Sequence, residues 1–442
     1  MQKIAILGMA RSGLAAAAKA VSLGFDVFLS DRKPRSEITD AAALEAYYQC
    51  EFGGHTSRIL DADTIIISPG ISRKLPLLLK AADRNIEVIS EIEFGFRIKS
   101  PTLKLIAVTG SNGKSTTVSL IHHLLATAGI NSILAGNIGD AFTSFPIETD
   151  SIDTAVLEIS SFQLETCYQF KPEIAALLNI SPDHLNRYSS MEDYASTKFN
   201  IFMNQNDDDL AILNADDPWT HKLMRQINSR KLYFSLKKHK DIYLKHNEMI
   251  VFGSESFPIN NFSLKGPHNL ANIMAAILAV SPYQISPEII RHGLETFKPL
   301  PHRLEFVAEI NGISFFNDSK ATNTDAVRYS VQSFTKPVRI IMGGAGKGED
   351  YSILNPYLKK FARKVYLCGD TAVEMEAAFD PEIDKKVYCD LEDALQKAFL
   401  EAERGDIILL APGCTSFDRF SDYTERGNYF KKLVRELNDE KK

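Results

Sequence analysis

Cysteine is scarce in this chain and follows no regular spacing. Five cysteines occur among 442 residues, an odd number with no C-x-x-C pair. A disulfide framework needs paired cysteines, and a zinc site needs ligands at short, regular intervals. The sequence therefore predicts neither feature, and we expect reduced thiols in a cytoplasmic protein.

Long apolar runs and an excess of positive charge are also missing. No stretch approaches the roughly 18 uninterrupted apolar residues of a membrane span, and Arg11 ends the apolar N-terminal run early. The formal net charge is −6 and the sequence pI is about 6.0, whereas a general nucleic-acid binder carries a basic excess. We therefore expect neither nucleic acid nor a membrane as partner. Independently of the charge, we also expect a monomer.

The N-terminal region lacks the complete glycine pattern of a dinucleotide-binding fold. The strand KIAIL leads through a Gly8-x-x-x-x-Gly13 loop into an alanine-rich helix predicted over residues 14–23, and a second strand, DVFLS, ends at Asp31. In a Rossmann-like unit the helix N-terminus faces a phosphate and the acid lies near a ribose or base. Because the middle glycine is missing, the pattern favours another nucleotide over a redox cofactor.

A phosphate-binding loop is indicated by residues 103–117, which read LKLIAVTGSNGKSTT. An apolar, β-prone run stops at a glycine-containing loop, and apolar residues at helical spacing follow it. Backbone N–H groups of such a loop bind phosphate, Lys114 adds positive charge, and the Ser115 hydroxyl can reach Mg²⁺. Val108 stands where the full G-x-x-x-x-G-K-[ST] pattern has glycine, so the alternative is a glycine-rich turn with a surface lysine. The flanking strand and helix favour a nucleoside triphosphate site.

Three further strand ends carry candidate ligand-binding residues. The apolar run at 64–68 stops at Pro69-Gly70, which is either a ligand-binding turn or only a strand-to-helix connection. Glu158 lies inside the apolar strand TAVLEI, where a carboxylate is costly unless it is paired or coordinates a metal. A strand acid beside a phosphate loop is a position where Mg²⁺ is held. The turn-rich segment SPDHLNRY, which carries His184, follows another strand.

Alternating strands and helices predict an α/β protein of three domains. Proline-containing connectors before the phosphate loop and near Pro299 mark the boundaries. The predicted domains are a Rossmann-like N-terminal domain at 1–92, a central P-loop ATPase domain with a mostly parallel sheet at 93–298, and a Rossmann-like C-terminal domain at 299–442. Short strands between 210 and 258 are expected to form a peripheral β portion.

Eight segments, in this order along the chain, resemble those of the ATP-dependent Mur ligases of peptidoglycan synthesis. They are GSNGKST, LEISSFQLE, SPDHLNRY, KGPHNLANI, LPHRLE, NDSKATN, GGAGKGED and APGCTSFDRF. The resemblance implies an N-terminal domain for a uridine nucleotide, a central ATPase domain and a C-terminal domain for the incoming amino acid. It implies ligation of D-glutamate to UDP-N-acetylmuramoyl-L-alanine through an acyl phosphate, with ATP and Mg²⁺ as cofactors.

The resemblance also implies roles for individual residues of this chain. The residues expected to bind ATP are Gly110, Ser111, Asn112, Gly113, Lys114, Ser115, Thr116, Asn269, Asn272, His302, Arg303, Asp318 and Lys320. The residues expected to bind Mg²⁺ are Ser115, Glu158, His184 and Lys198, and the expected catalytic residues are Lys114, Glu158, His184 and Lys198. The residues expected to bind the uridine nucleotide are Ser12, Asp31, Gly70 and Asn137, and those for D-glutamate are Thr322, Lys347, Ser416 and Phe417.

Lys198 stands where the family carries a lysine that is carbamylated by CO₂, which replaces a cation with a carboxylate-like ligand for Mg²⁺. The sequence without the family context favours an ordinary lysine on a helix surface.

Alternatives for the whole chain are another Mur-type ligase, a folylpolyglutamate-type ligase and a non-catalytic nucleotide-binding switch. The missing D-N-P-R stretch argues against a diaminopimelate-adding ligase, and the N-terminal domain argues against a folylpolyglutamate synthase. The incomplete N-terminal glycine pattern argues against an NAD-dependent dehydrogenase.

Overall fold

The structure is a computed structural model that describes residues 2–183, 187–334 and 336–439. Three sheets of five, nine and six strands form within these ranges, and most neighbouring strands are parallel. The predicted α/β class with mostly parallel sheets is thereby confirmed. None of the helices in the described ranges has the length and apolar character needed to cross a lipid bilayer.

The first sheet is entirely parallel and follows a doubly wound topology. Its strands are β1 (Lys3–Leu7), β2 (Asp26–Asp31), β3 (Gln49–Phe52), β4 (Thr64–Ile67) and β5 (Glu87–Ser90). Its helices are α1 (Arg11–Ser22), α2 (Ala41–Tyr47), α3 (Pro76–Asp83) and α4 (Glu91–Ile98). The strand order is β3-β2-β1-β4-β5, which matches five of the six strands of the Rossmann order 3-2-1-4-5-6. Small side chains of α1, among them Ala16 and Ala20, pack in the core with Ile4 and Ile6 of β1.

The second sheet contains nine strands, and the predicted phosphate loop follows one of them. Its strands are β6 (Lys104–Thr109), β7 (Ser132–Gly136), β8 (Thr154–Glu158), β9 (Ile174–Leu177), β10 (Leu210–Asn214), β11 (Arg230–Ser235), β12 (Ile242–Lys245), β13 (Met249–Phe252) and β14 (Glu255–Pro258). The helices along this stretch are α5 (Lys114–Thr127), α6 (Ser161–Leu164), α7 (Met191–Phe199), α8 (Pro218–Leu223), α9 (Pro267–Val280) and α10 (Pro287–Thr296). The strand order is β14-β13-β12-β11-β10-β9-β6-β8-β7.

The strands between 210 and 258 form one edge of the second sheet. Strand β10 pairs in parallel with both β9 and β11, and β12 pairs in parallel with β11. Only the last two strands turn back as antiparallel neighbours. The predicted peripheral β portion is therefore one edge of the second sheet, because the backbone hydrogen bonds of these strands continue the sheet outward from β9.

The third sheet is parallel except at one edge. Its strands are β15 (Glu305–Ile310), β16 (Ile313–Asn317), β17 (Val338–Met342), β18 (Ala362–Leu367), β19 (Lys385–Val387) and β20 (Ile407–Leu410). Its helices are α11 (Thr324–Gln332), α12 (Asn355–Phe361), α13 (Ala372–Ala378), α14 (Leu391–Glu401) and α15 (Tyr423–Asp439). The order is β15-β16-β20-β17-β18-β19, and β15 is antiparallel to β16. Buried apolar side chains form one core cluster around Ile340 and Leu409 and another around Ile341 and Ile408.

Contacts between residues divide the chain into two compact units. The first consists of Met1–Ile180, Glu192–Asn260 and Ala271–Leu294, and the second of Ser181–Met191, Asn261–Leu270 and Glu295–Lys442. The first and second sheets therefore belong to one compact unit, and the third sheet belongs to the other. The three domain boundaries inferred from sequence stay a prediction.

Candidate active site

The predicted phosphate loop joins β6 to α5 and has a backbone that requires glycine. Gly113 has φ +87°, in the left-handed region that side chains with a Cβ disfavour. A Cβ at this position would lie 2.3 Å from the Asn272 side-chain oxygen. The first turn of α5 then begins with Lys114, Ser115 and Thr116, and the last two are buried. The loop therefore presents backbone N–H groups at a helix N-terminus, an arrangement that binds anions.

Asn179, at the end of β9, holds this loop in place. Its side-chain oxygen accepts from the Asn112 backbone N–H at 2.9 Å, and its side-chain N–H donates to the Asn112 carbonyl at 2.9 Å. Its own carbonyl accepts from the Ser111 N–H at 2.9 Å. Sequence reasoning did not single out Asn179. The available signal was an amide residue directly after an apolar strand, at the sheet edge that also carries the loop.

Two lysines converge on one carbonyl of the loop. Lys114 Nζ donates to the Gly110 oxygen at 2.8 Å and to the Ser111 oxygen at 2.9 Å. Lys198 Nζ, from α7, donates to the same Gly110 oxygen at 3.0 Å and lies 4.7 Å from the centre of the Tyr194 ring. Lys198 is only 2% exposed, so the alternative of an ordinary surface lysine was wrong.

Glu158 ends the strand beside the phosphate loop. It lies in register with Val108 of β6 and with Gly136 of β7, at the carboxyl ends of both strands. The side chain is buried, and one carboxylate oxygen accepts from the Asn137 side-chain N–H at 2.7 Å. The structure thus brings Glu158 to the sheet edge that carries the loop.

The side-chain oxygens near the phosphate loop are suitable ligands for a magnesium ion. In the described ranges no group of three or more His, Cys, Asp or Glu side chains converges, and His184 lies outside these ranges. Mg²⁺ usually keeps several waters and takes one or two carboxylates together with substrate phosphates. A hydroxyl from Ser115 and a carboxylate from Glu158 are ligands of this kind, so a crowded cluster of acids is not required.

The N-terminal glycine loop is shaped by close backbone packing. A Cβ at Gly13 would lie 1.9 Å from the Gly8 carbonyl oxygen, so no larger residue fits there. The Asp31 carboxylate accepts from the Met9 N–H at 2.6 Å and from the Lys33 N–H at 2.9 Å. These bonds tighten the loop, and helix α1 begins at Arg11, three residues before the predicted start.

The predicted uridine-nucleotide residues have different exposures. Ser12 lies in the first turn of α1 and is half-buried, whereas Gly70 and Asn137 are exposed. Asp31 is buried and already holds two backbone N–H groups. We therefore infer that Asp31 shapes the loop in addition to any contact with a ligand.

In the second unit, the predicted nucleotide residue His302 occupies a strained position. Its φ is +63°, which is uncommon for a residue with a side chain. Its ring Nδ1 lies 2.8 Å from the Asn317 side-chain nitrogen, and its carbonyl accepts from the Lys320 N–H at 3.2 Å. Burial, with the Lys431 charge as a smaller cause, lowers the pKa of His302. The ring is therefore neutral near pH 7, and Nδ1 accepts from the Asn317 amide, a partner that sequence reasoning missed.

Two neighbouring candidates, Asp318 and Lys320, are also held in place. Burial raises the pKa of Asp318 to about 6, and the Ser330 hydroxyl donates to its carboxylate. Lys320 Nζ lies 3.8 Å from the centre of the Tyr423 ring. Asn269, also a candidate, donates from its side chain to the Lys265 carbonyl at 2.8 Å.

The predicted amino-acid loops of the second unit contain a group of charges. Lys347 Nζ lies 3.4 Å from one Asp183 carboxylate oxygen, and Asn323 donates to the other at 3.4 Å. The Thr324 N–H donates to Glu349 at 2.7 Å. Burial, together with the Asp183 charge, raises the pKa of Glu349. Asp183 and Glu349 were not predicted as site residues, although both lie inside segments that carried the family resemblance.

The remaining amino-acid candidates differ sharply in exposure. Ser416 is buried, and its carbonyl accepts from the Phe420 N–H at 2.8 Å. Phe417 is 71% exposed. Thr322 is half-buried and donates its N–H to the Lys320 carbonyl at 2.8 Å. The loop thus offers an exposed aromatic ring beside a buried hydroxyl.

Three family models match successive parts of the chain. They are the Mur ligase MurD-like N-terminal domain at residues 2–90, the Mur ligase middle domain at 108–280 and the Mur ligase glutamate ligase domain at 302–414.

Curated relatives match over almost the whole length. A UDP-N-acetylmuramoylalanine--D-glutamate ligase of Koribacter versatilis is 39% identical over 455 residues, covering 100% of this chain and 99% of the relative. A protein of the same name from Salinibacter ruber is 36% identical over 450 residues, covering 98% of this chain and 97% of the relative.

Solved structures with a similar fold have low sequence identity. A pseudomurein peptide ligase type C from Methanothermus fervidus has a TM-score of 0.63 at 19% identity, covering 99% of this chain and 100% of that chain. A UDP-N-acetylmuramate-alanine ligase from Thermotoga maritima has a TM-score of 0.62 at 19% identity, with the same coverage. At this identity they establish the shared fold alone.

Proposed function

The chain belongs to the Mur ligase family, and on that premise we propose that it joins D-glutamate to UDP-N-acetylmuramoyl-L-alanine at the expense of ATP. The observation that carries this proposal is the match, over nearly the full chain, to proteins that bear the name of this one activity. The reaction provides an amide bond of the peptidoglycan precursor and releases ADP and phosphate.

The reaction needs an activated acyl group because a carboxylate is a poor acyl donor. A carboxylate oxygen of the alanyl group attacks the γ-phosphate of ATP, which gives an acyl phosphate and ADP. The amine of D-glutamate then attacks the acyl carbon, and phosphate leaves from the tetrahedral intermediate. Positioning and neutralisation of charge supply most of the catalysis in phosphoryl transfer.

The loop from Gly110 to Thr116 is the proposed cradle for the ATP phosphates. The backbone N–H groups in the first turn of α5 would bind the anion, and Lys114 would exchange its bonds to two loop carbonyls for bonds to phosphate oxygens. Ser115 and Glu158 would hold Mg²⁺, which neutralises the charge on the phosphates when it is bound. Burial of Glu158 supports this role because a buried carboxylate is stabilised by a cation.

Lys198 is proposed to act as its carbamate. Its burial and its bond to the Gly110 carbonyl support this assignment. A carbamate nitrogen retains one N–H, so the bond to Gly110 can persist after modification. The new carboxylate-like group would supply oxygen ligands of the kind that Mg²⁺ prefers. His184, proposed as a further Mg²⁺ ligand, lies outside the described residues.

The other assignments stay proposals drawn from the family resemblance. The proposed residues for adenine, ribose and phosphate are Asn269, Asn272, His302, Arg303, Asp318 and Lys320. The proposed residues for the uridine nucleotide are Ser12, Asp31, Gly70 and Asn137. The proposed residues for D-glutamate are Thr322, Lys347, Ser416 and Phe417. The two carboxylates of D-glutamate need cations and hydroxyls, and one of them would replace Asp183 as the partner of the Lys347 ammonium.

A substrate screen tests the proposed function. The purified protein is incubated with ATP, Mg²⁺ and UDP-N-acetylmuramoyl-L-alanine, each amino acid is added separately, and phosphate release and the amide product are measured. We expect phosphate release and an amide product only when D-glutamate is added. A product with a different amino acid would identify another Mur-type ligase. In a parallel reaction a folate substrate replaces the uridine nucleotide, and a product there would identify a folylpolyglutamate-type ligase. ATP hydrolysis without any amide product would favour a nucleotide-binding switch.

A further inference from the structure

Helix α4 carries two buried carboxylates in its first turn. Glu91 is 3% exposed and Glu93 is 0% exposed, and Ser90 caps the helix by accepting from the Glu93 N–H at 3.1 Å. Burial of a carboxylate is costly unless hydrogen bonds compensate for the lost water. Here Glu93 and one oxygen of Glu91 accept hydrogen bonds from segments that lie far along the chain, in the part that forms the second sheet.

Glu93 binds three consecutive backbone N–H groups. Tyr168 donates to it at 3.1 Å, Gln169 at 2.9 Å and Phe170 at 2.9 Å. Arg97, one turn further along α4, donates to the same carboxylate at 2.9 Å. Hydrogen bonds to an ionised group are stronger than those between neutral groups, so one side chain fixes the whole segment 168–170 against the helix.

Glu91 binds a second segment from the same part of the chain. One of its oxygens accepts from the Thr143 N–H at 2.6 Å and from the Thr143 hydroxyl at 2.7 Å. One turn along the helix, a Cβ on Gly95 would lie 2.5 Å from the Phe142 ring. The helix therefore lies as close to this segment as its backbone allows.

The two bound segments precede and follow β8, the strand that ends at Glu158, in the sequence. Thr143 belongs to the connection from β7 to β8, and residues 168–170 belong to the connection from β8 to β9. The second segment is also held from its other side, because the Asn204 side chain donates to the Tyr168 carbonyl at 2.8 Å and to the Phe170 carbonyl at 3.1 Å. Asn204 follows α7, the helix that carries Lys198.

We propose that Glu91 and Glu93, which we call the α4 clamp, are positioning residues for ligation. They hold the first sheet, which binds the uridine nucleotide, in a set placement against the second sheet, which carries the phosphate loop. This inference rests on the proposed function. Neither carboxylate touches a substrate; the clamp acts through the segments that flank β8.

The placement matters because the uridine-linked substrate would bind to one sheet and react at the other. Its uridine nucleotide is held by the first sheet, and its alanyl carboxylate must meet the γ-phosphate at the second. A misplacement of about 1 Å can cost on the order of 100-fold in rate. Loosening the clamp should therefore lower kcat, while the affinity of each sheet for its own ligand is preserved.

Glu93→Gln tests the clamp. The amide retains one acceptor oxygen, but its NH₂ group faces backbone N–H donors, so at least one bond to residues 168–170 is lost. We expect kcat to fall about tenfold or more, with the KM values for ATP and the uridine nucleotide changed less than about twofold. Hydrogen exchange should accelerate at the amides of 168–170 and stay unchanged in the phosphate loop.

Glu87→Gln is the matched control. Glu87 binds the other side of Arg97 through two bonds of 2.6 Å, and these bonds do not involve residues 168–170. We expect this variant to keep the wild-type kcat. Glu91→Ala provides a second test of the clamp if Glu93→Gln does not fold, because it removes the oxygen that accepts both Thr143 bonds. Exchange is then measured at Thr143.

The results separate the clamp from a purely structural role. Faster exchange at 168–170 with an unchanged kcat would overturn the proposal, and so would a loss of activity that matches only the loss of folded protein. A wild-type protein that does not ligate D-glutamate would instead refute the proposed function. In that case the exchange data would still report whether Glu93 holds the segment.

Discussion

Lys114 and Lys198 donate hydrogen bonds to the same acceptor, the carbonyl oxygen of Gly110, at 2.8 and 3.0 Å. One lysine begins helix α5 and the other lies near the end of α7. Two ammonium groups that share one acceptor repel each other, and a phosphate or a carbamate would relieve that repulsion by adding negative charge.

Lys114→Ala should abolish turnover and leave the fold intact. The developing charge on the transferred phosphoryl group loses its cation, and a loss of kcat on the order of 100-fold or more is expected. Phosphate release measures the effect. The control is Lys99→Ala, which removes another lysine that binds two backbone carbonyls and should remain active. A Lys114→Ala protein with near-normal phosphate release would refute the role of the loop.

Lys198→Ala should lose most activity, and acetate should restore part of it. Acetate fits the space of the missing carbamate and supplies the same kind of oxygen ligands. Lys198→Arg keeps a positive charge and should show no rescue. Activity is measured as phosphate release with increasing acetate. If Lys198→Ala retains full activity in CO₂-free buffer, the lysine has no role in the reaction.

Asn179→Ala should weaken the binding of ATP. The variant loses two side-chain bonds to Asn112, each contributing about 0.5–1.5 kcal/mol, so KM for ATP should rise about tenfold. Asn214→Ala is a suitable control because Asn214 ends the neighbouring strand β10 and bonds to the Leu178 carbonyl at 2.9 Å. Equal changes in the two variants would show that the effect is not specific to the phosphate loop.

Asp318 should make the protein less stable as the pH rises through weakly acidic values. Burial raises the pKa of Asp318 to about 6, whereas an unfolded aspartate titrates near 3.9. Between these values the folded state keeps a proton that the unfolded state releases. The free energy of unfolding therefore falls from about pH 4 to pH 6, by on the order of 2 to 3 kcal/mol.

Asp318→Asn should remove that component of the pH dependence. Denaturant unfolding of both proteins at several pH values between 4 and 7 measures the difference, and other titrating groups cancel in the comparison. Parallel curves for the two proteins would show that Asp318 has an ordinary pKa in the folded state.

Local patterns in the sequence were sufficient for several strands and for the position of the predicted phosphate loop between a strand and a helix. The strands predicted at Val338–Met342 and Ile407–Leu410 coincide with β17 and β20, because a turn that contains glycine follows each of them. The same reasoning placed the loop before Lys114 between a strand and a helix. These features depend on residues that are close in sequence, so they can be predicted without knowing which distant residues they contact.

Tertiary structure decided which distant residues meet. In the third sheet, β20 lies between β16 and β17. No local sequence pattern predicts this order of strands. Local patterns also do not show that Lys198 is buried, that Asn179 bonds to the phosphate loop or that Glu93 binds residues 168–170. A side chain's exposure and partners depend on segments brought together by the packing of whole sheets and helices, and that packing is settled only when the complete chain has folded.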